Sequence, residues 1–312
     1  MVPRATLIAV LVGVELALIF GMVVSVGGGP SGRFGRAGTP AGAASLKGPT
    51  TFTAGDRPAV AVDVGLADVV IDAVPGTRID VSVSDSRMHV GSSAPITARD
   101  DGGTIRVTAS ETDAWAFLGD SRTVHITVPP ATAVVVANAG NVTVSGLRAA
   151  ATINSGAHFH PDDGVTVRDF RGSLTATTSN GNLDVIDADC SELHVASENG
   201  RLTLTRVRAR QIDASSSNGR VNGTGLHLRD GRVASSNGRV SLGFAPGADT
   251  TVSAASSNGR VNVSGLSVGT QSVKSDDDDD DSTAAKTVRV GAGGGRLTVR
   301  TSNGSIDLTQ EG

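Results

Sequence analysis

The sequence predicts an all-β chain: a single-stranded β-helix, or solenoid, of stacked coils of about 19 residues, preceded by one N-terminal transmembrane helix. Three observations predict it. The dipeptide Asn-Gly recurs at near-fixed spacing through the second half of the chain, apolar and polar residues alternate on both sides of each copy, and a long apolar run stands near the N-terminus. Composition agrees: 40 Gly, 3 Met and no Tyr in 312 residues describe short strands and tight turns rather than a helical bundle.

The N-terminal element rests on residues 6–26, which carry one charge, Glu15. As a helix they span about 31 Å, the thickness of a bilayer core. Thirteen of them are Leu, Ile, Val or Phe. At roughly −0.3 to −0.6 kcal/mol each these outweigh about +3 kcal/mol for one acid, so Glu15 does not prevent insertion. Glu15 is either protonated or turned to a helix neighbour, or it pairs with a polar group of a partner membrane protein. The run is longer than a signal-peptide core, and Ser25-Val26-Gly27 is a poor cleavage site, so residues 1–26 read as an uncleaved signal-anchor that exports the rest of the chain. Residues 27–49 read as a Gly/Pro/Ala-rich linker. Residues 50–312 are then the extracytoplasmic β domain, on the periplasmic or outer side of the membrane, with an acidic loop insert at 274–286.

The repeat lies at Asn180-Gly181, Asn199-Gly200, Asn218-Gly219, Asn237-Gly238, Asn258-Gly259 and Asn303-Gly304. Successive spacings are 19, 19, 19, 21 and 45, the last interrupted by the aspartate run at 276–281. Two residues after each Gly stands Leu183, Leu202, Val221, Val240, Val261 or Ile306, and three before it always Ser or Thr. Each unit is strand, turn, strand, with alternate residues inward. A lone Asn-Gly between strands would signal a hairpin. Six in register signal stacking, because one unit cannot bury its own apolar edge while neighbours about 4.8 Å apart make a continuous core. The Asn and Ser/Thr then form columns, with an amide ladder running from coil to coil. Looser copies begin near Val60 and include Asn138-Ala139-Gly140, with loops at 86–104 and 109–122.

The segments AVDVGLADVVIDAVPGTRIDVSV (59–81) and VHITVPPATAVVVANAGNVTVSGL (124–147), with the serial SSNGRV units, resemble the bacterial putative-adhesin family of β-strand-repeat domains of unknown function. The resemblance covers roughly 60–308 and implies a membrane- or surface-associated β-solenoid with no catalytic residues to carry over.

Arg201, Arg220, Arg239 and Arg260 each follow an Asn-Gly, so stacking predicts an outward arginine column. Neighbouring charges about 5 Å apart repel by roughly 0.8 kcal/mol even in water. The column is either a solvated face whose aliphatic stems cover the turns, or an anion-binding stripe, since Arg grips phosphate and carboxylate bidentately. His158 and His160, followed by Asp162 and Asp163, are a weak metal signal that a turn at Pro161 explains equally well. Run 276–281 lacks the spacing of a calcium loop and reads as a self-repelling insert. Trp115 and Phe117 read as an end cap or an exposed contact. Gly293, Gly294 and Gly295 are a turn rather than a phosphate loop. Paired carboxylates such as Asp184 and Asp187 could serve a glycan-cleaving β-helix, without a second supporting element. Cys190, the only cysteine, forms no internal disulfide.

Net charge is −4 with no global basic field, which disfavours nucleic acid. The sequence therefore reads as non-catalytic, with no cofactor and no metal. It is a membrane-anchored, adhesin-like envelope protein that binds or scaffolds envelope polysaccharide, anionic lipid or another envelope protein. A self-assembling structural polymeriser is the alternative, and a β-helical carbohydrate-active enzyme the third reading.

Overall fold

The computed structural model describes residues 44–46, 48–65, 67–85, 95–109, 122–155, 164–268 and 284–311. Residues 6–26 with Glu15, most of the linker, Trp115, Phe117, His158, His160, Asp162, Asp163 and run 276–281 lie outside the described residues. Among the described residues no helix is long and apolar enough to cross a membrane. The fold there is all-β, with 22 strands in one continuous hydrogen-bonded sheet.

The central strands show why these residues stack. In Asn182–Ser197 buried and open residues alternate, sending Leu183, Val185, Leu193 and Val195 inward. The strand pairs in parallel with Leu202–Ser216, Leu183 against Leu202 and Val195 against Ala214, a register offset of one 19-residue repeat. Leu202–Ser216 pairs in the same way with Val221–Ser235. Every inward position therefore meets its own equivalent in the next coil, and the buried residues form one continuous column from Val60 to Leu308.

These strands of 15 or 16 residues are not straight. Each bends where a residue takes a left-handed conformation: Asp169 (φ 45°), Asp187 (φ 55°) and Arg206 (φ 52°), with Gly146 (φ 74°) and Gly225 (φ 64°) at the equivalent sites. A second break follows, where Ser191 and Arg210 drop out of the ladder. A coil thus has three sides: for example 182–186, 188–190 and 192–197. The sequence conceals the left-handed corner because Asp and Arg occupy it where glycine would be expected.

Chain order and spatial order part company at both ends. Residues 297–301 insert between 231–235 and 252–256, and 306–310 between 240–244 and 261–264. At the other end, 59–63 lies between 104–108 and 133–138, and 68–73 between 123–128 and 142–145. The 45-residue gap in the repeat is therefore a chain that passes one layer, builds the outermost coil and returns to fill the space left.

Antiparallel strands cover part of the outermost coils, leaving Val261–Ser264 paired on one edge only. Arg78–Asp85 pairs with Arg122–Val128, Ile96–Asp101 with Thr104–Ala109, and Ala284–Val290 with Thr250–Ser256. Covered edges do not offer free backbone groups to another chain. Three expected boundaries move as a result. Strand Ile96–Asp101 occupies part of the expected loop 86–104, residues 284–286 of the expected insert belong to strand Ala284–Val290, and pairing begins at Ala44–Ser45, ahead of residue 50.

Candidate functional site

The Asn-Gly corner is built by close approach. None of the Asn or Gly residues of the six Asn-Gly copies has positive φ, so the left-handed freedom that makes Asn-Gly a hairpin turn is not what this site uses. The glycine is required by space. A Cβ added at Gly219 would lie 1.7 Å from the carbonyl oxygen of Gly200, and one at Gly238 would lie 1.9 Å from that of Gly219.

Beneath each glycine the Ser or Thr three residues earlier is buried, and Ser197, Ser216 and Ser235 each use the hydroxyl twice. Ser216 Oγ accepts from the Gly219 N–H (2.8 Å) and donates to the Gly200 carbonyl (3.3 Å). Ser235 repeats this with Gly238 and Gly219 at 2.9 Å each. These three hydroxyls close their own turns and tie them to the neighbouring coil, while Thr178 closes its turn and Ser256 and Thr301 tie theirs to the next layer.

The asparagines form a ladder. Asn199 Nδ2 donates to Asn180 Oδ1, Asn218 to Asn199 and Asn237 to Asn218, all at 2.7 Å. Asn303 then donates to Asn237 and Asn258 to Asn303, both at 2.8 Å, so the ladder follows the order of layers and not of the chain.

The same inversion changes the arginine column. Arg201, Arg220 and Arg239 occupy adjacent coils, where each carbonyl accepts the N–H following the equivalent site one coil back: Leu183 to Arg201, Leu202 to Arg220, Val221 to Arg239. The next layer presents Ser305, and Arg260 lies one layer beyond. Four arginines in unbroken succession are therefore corrected to three, a serine and one. Arg239 Nε donates to Ser305 Oγ (3.1 Å) and stands 3.7 Å from Asp307, so Ser305 relieves part of the charge crowding. All four arginines are exposed.

On the side of the coil between its left-handed corner and the ladder break lies a groove that the sequence reading missed. Its floor is the buried column Cys190, Ala209, Leu228. One wall is Asp189, Arg208 and His227; the other is Ser191, Arg210 and Arg229. Both walls obey the same 19-residue period as the Asn-Gly, a signal available at positions that carry no glycine.

Beside the groove, Arg206 grips Asp187 with two hydrogen bonds, Nε to Oδ1 (2.6 Å) and Nη2 to Oδ2 (2.8 Å). The bonded guanidinium holds the Asp187 carboxyl below its ordinary value, and the carboxylate raises Arg206 in return. A general acid needs the opposite shift, so Asp187 is unsuited to protonate a leaving group. Burial, reinforced by the charge of Asp189, pushes the Cys190 thiol up to about 12, which makes it a packing residue. Burial and then the Arg208 charge lower His227. Among the described residues no three His, Cys, Asp or Glu side chains gather as metal ligands.

The family described as Toastrack DUF4097 matches residues 59–311. Similar solved structures include a putative adhesin from Parabacteroides distasonis ATCC 8503, 13% identical, covering 85% of this chain and 94% of that one at a TM-score of 0.43. Others are a putative adhesin from Parabacteroides merdae ATCC 43184 (14%, 85% and 96%, TM-score 0.40) and a putative lipid binding protein from Parabacteroides distasonis ATCC 8503 (10%, 85% and 98%, TM-score 0.37). Similarity at that level bears on neither ligand nor role. No curated protein matches the chain.

Proposed function

We propose, for a chain that belongs to the Toastrack DUF4097 family, a non-catalytic role in which the repeated β domain binds or scaffolds anionic components of the cell envelope. In this reading residues 1–26 anchor the protein in the membrane and the β domain stands outside the cytoplasm. Envelope polysaccharide, anionic lipid or another envelope protein bearing acidic groups is the partner.

The observation that carries the reading is the register of the Asn-Gly corner. The amide ladder holds adjacent turns rigidly in step, so Arg201, Arg220 and Arg239 repeat at one coil spacing, about 4.8 Å. A polymer with repeating negative groups gains one weak contact per coil, and linked contacts multiply into useful affinity. Head-to-end polymerisation has less support, because antiparallel strands cover much of the outermost coils, although not the outer edge of Val261–Ser264.

The test is binding of the full-length protein to phosphatidylglycerol vesicles and to an anionic polysaccharide, with phosphatidylcholine vesicles as control. The variant carrying Arg201→Gln, Arg220→Gln, Arg239→Gln and Arg260→Gln should bind more weakly at low salt. Arg260→Gln alone should matter least, since Ser305 separates it from the other three. Unchanged binding by the fourfold variant at low salt rejects the arginine column as the binding element.

A further inference from the structure

We propose that the groove floored by Cys190, Ala209 and Leu228 binds an anionic glycan chain, with successive sugars seated on successive coils. This goes beyond the reading above. The groove shares no residue with the Asn-Gly corner and is separated from it by a strand on either side of the coil, 202–205 and 211–216.

Its shape selects a chain. The depression has a volume of ≈ 680 Å³ and draws on five successive turns, from Gly172 through to Gly247 and Asp249. Four steps of about 4.8 Å make it roughly 19 Å long. Two further depressions of ≈ 430 and ≈ 380 Å³ lie across its walls, one sharing Arg208 and His227 and the other Arg210 and Arg229. Inward-pointing floor residues between two outward walls give a trough whose depth a flat bilayer surface does not enter. An extended pyranose chain advances by about one coil spacing per sugar, so its groups fall into register with the wall columns.

Its chemistry selects an anionic sugar over other polyanions. Arg208, Arg210 and Arg229 supply guanidinium forks suited to carboxylate or phosphate. The side chains of Arg208, Arg210 and Asp189, which line the trough, make no hydrogen bond or ion pair with another described side chain. Asp189 and Asp249 interrupt the positive charge between the guanidinium groups. Asp189 is an acceptor for the hydroxyl groups that a sugar presents on every ring and that an inorganic polyphosphate or a DNA backbone lacks, whereas Asp249 already accepts the Gly294 N–H (2.7 Å). His227 and Ser191 add further hydrogen-bonding groups on the two walls.

The experiment is calorimetric titration of the full-length protein with hexagalacturonate, which carries one carboxylate per sugar, beside neutral cellohexaose and inorganic phosphate. In parallel, the His227 ring resonances are followed by NMR. Hexagalacturonate should bind and shift His227. Arg208→Gln with Arg210→Gln should weaken it at least about tenfold, as expected for losing two charge-assisted contacts. Arg201→Gln with Arg220→Gln should leave it within about twofold, which separates failure of the groove from failure of the arginine column. Arg229→Gln, one coil further on, is an independent second variant should the double variant not fold. The proposal is overturned if hexagalacturonate leaves His227 unmoved or binds a folded groove variant with wild-type affinity. It is equally overturned if cellohexaose or inorganic phosphate binds as tightly as the charged hexamer.

Discussion

Replacing Gly219 by alanine tests the stacked corner directly, because the added methyl points at the backbone of the neighbouring coil. The new Cβ would lie 1.7 Å from the Gly200 oxygen, 2.6 Å from its carbon and 2.7 Å from Ser216 Oγ. Bringing the first contact to 3.0 Å, the shortest that real Cβ atoms show, means parting the two turns by more than an ångström. The bonds that hold them include Ser217 N–H to Ser197 carbonyl (3.2 Å), Asn218 N–H to Glu198 carbonyl (2.8 Å), Ser216 Oγ to Gly200 carbonyl (3.3 Å) and Asn218 Nδ2 to Asn199 Oδ1 (2.7 Å). Stretched that far, all four leave hydrogen-bonding range, and at about 1 kcal/mol each the loss is about 4 kcal/mol. Gly76 is the control. A Cβ there meets nothing nearer than 4.0 Å and its φ is not positive, so Gly76→Ala should stay within about 1 kcal/mol of wild type. Urea unfolding followed by circular dichroism measures both. A Gly219→Ala protein as stable as Gly76→Ala would refute close approach as the reason for the glycine.

Two further predictions concern titration and reactivity. In the folded protein the Asp187 carboxyl should titrate below its ordinary 3.8, because Arg206 stabilises the charged form. A depressed folded value means that the pair's contribution is present above the unfolded value and is lost as pH falls through the folded one. Carbon-detected NMR should find that Arg206→Gln returns Asp187 toward 3.8, and an unchanged titration would show that the pair does not set it. The Cys190 thiol, raised to about 12 by burial and by Asp189, should resist a disulfide reagent at pH 8 in native protein and react promptly in denaturant. Rapid native labelling would show that the floor of the groove opens.

Much of the architecture is written in short-range pattern. Alternation of Leu183 and Val185 with Asn182 and Asp184 assigns an inward side without reference to any other coil. The constant Ser or Thr before each Asn-Gly marks a hydroxyl with a repeated task, and its two bonds are what that constancy describes. The groove walls were legible too, since Arg210 and Arg229 keep the period, but without a glycine beside them nothing drew attention to the match. Asp187 and Arg206 misled for a physical reason: they occupy a left-handed corner at a conformational cost, and their mutual ion pair offsets part of it.

By itself the sequence determined that the repeat region is all-β, which residues face inward, and that an asparagine recurs in each Asn-Gly unit with an arginine after four of the six. Those properties follow from alternation and period, which are local. Only the tertiary structure decided which unit lies against which. Asn303 bonds Asn237 and Asn258 across separations of 66 and 45 residues, because the last segment fills a layer that the chain first passed over. Identical repeats offer nearly identical edges to one another, so pattern alone does not rank the neighbours. The order is fixed by the antiparallel strands that cover part of the outermost coils and by a connection long enough for the chain to return.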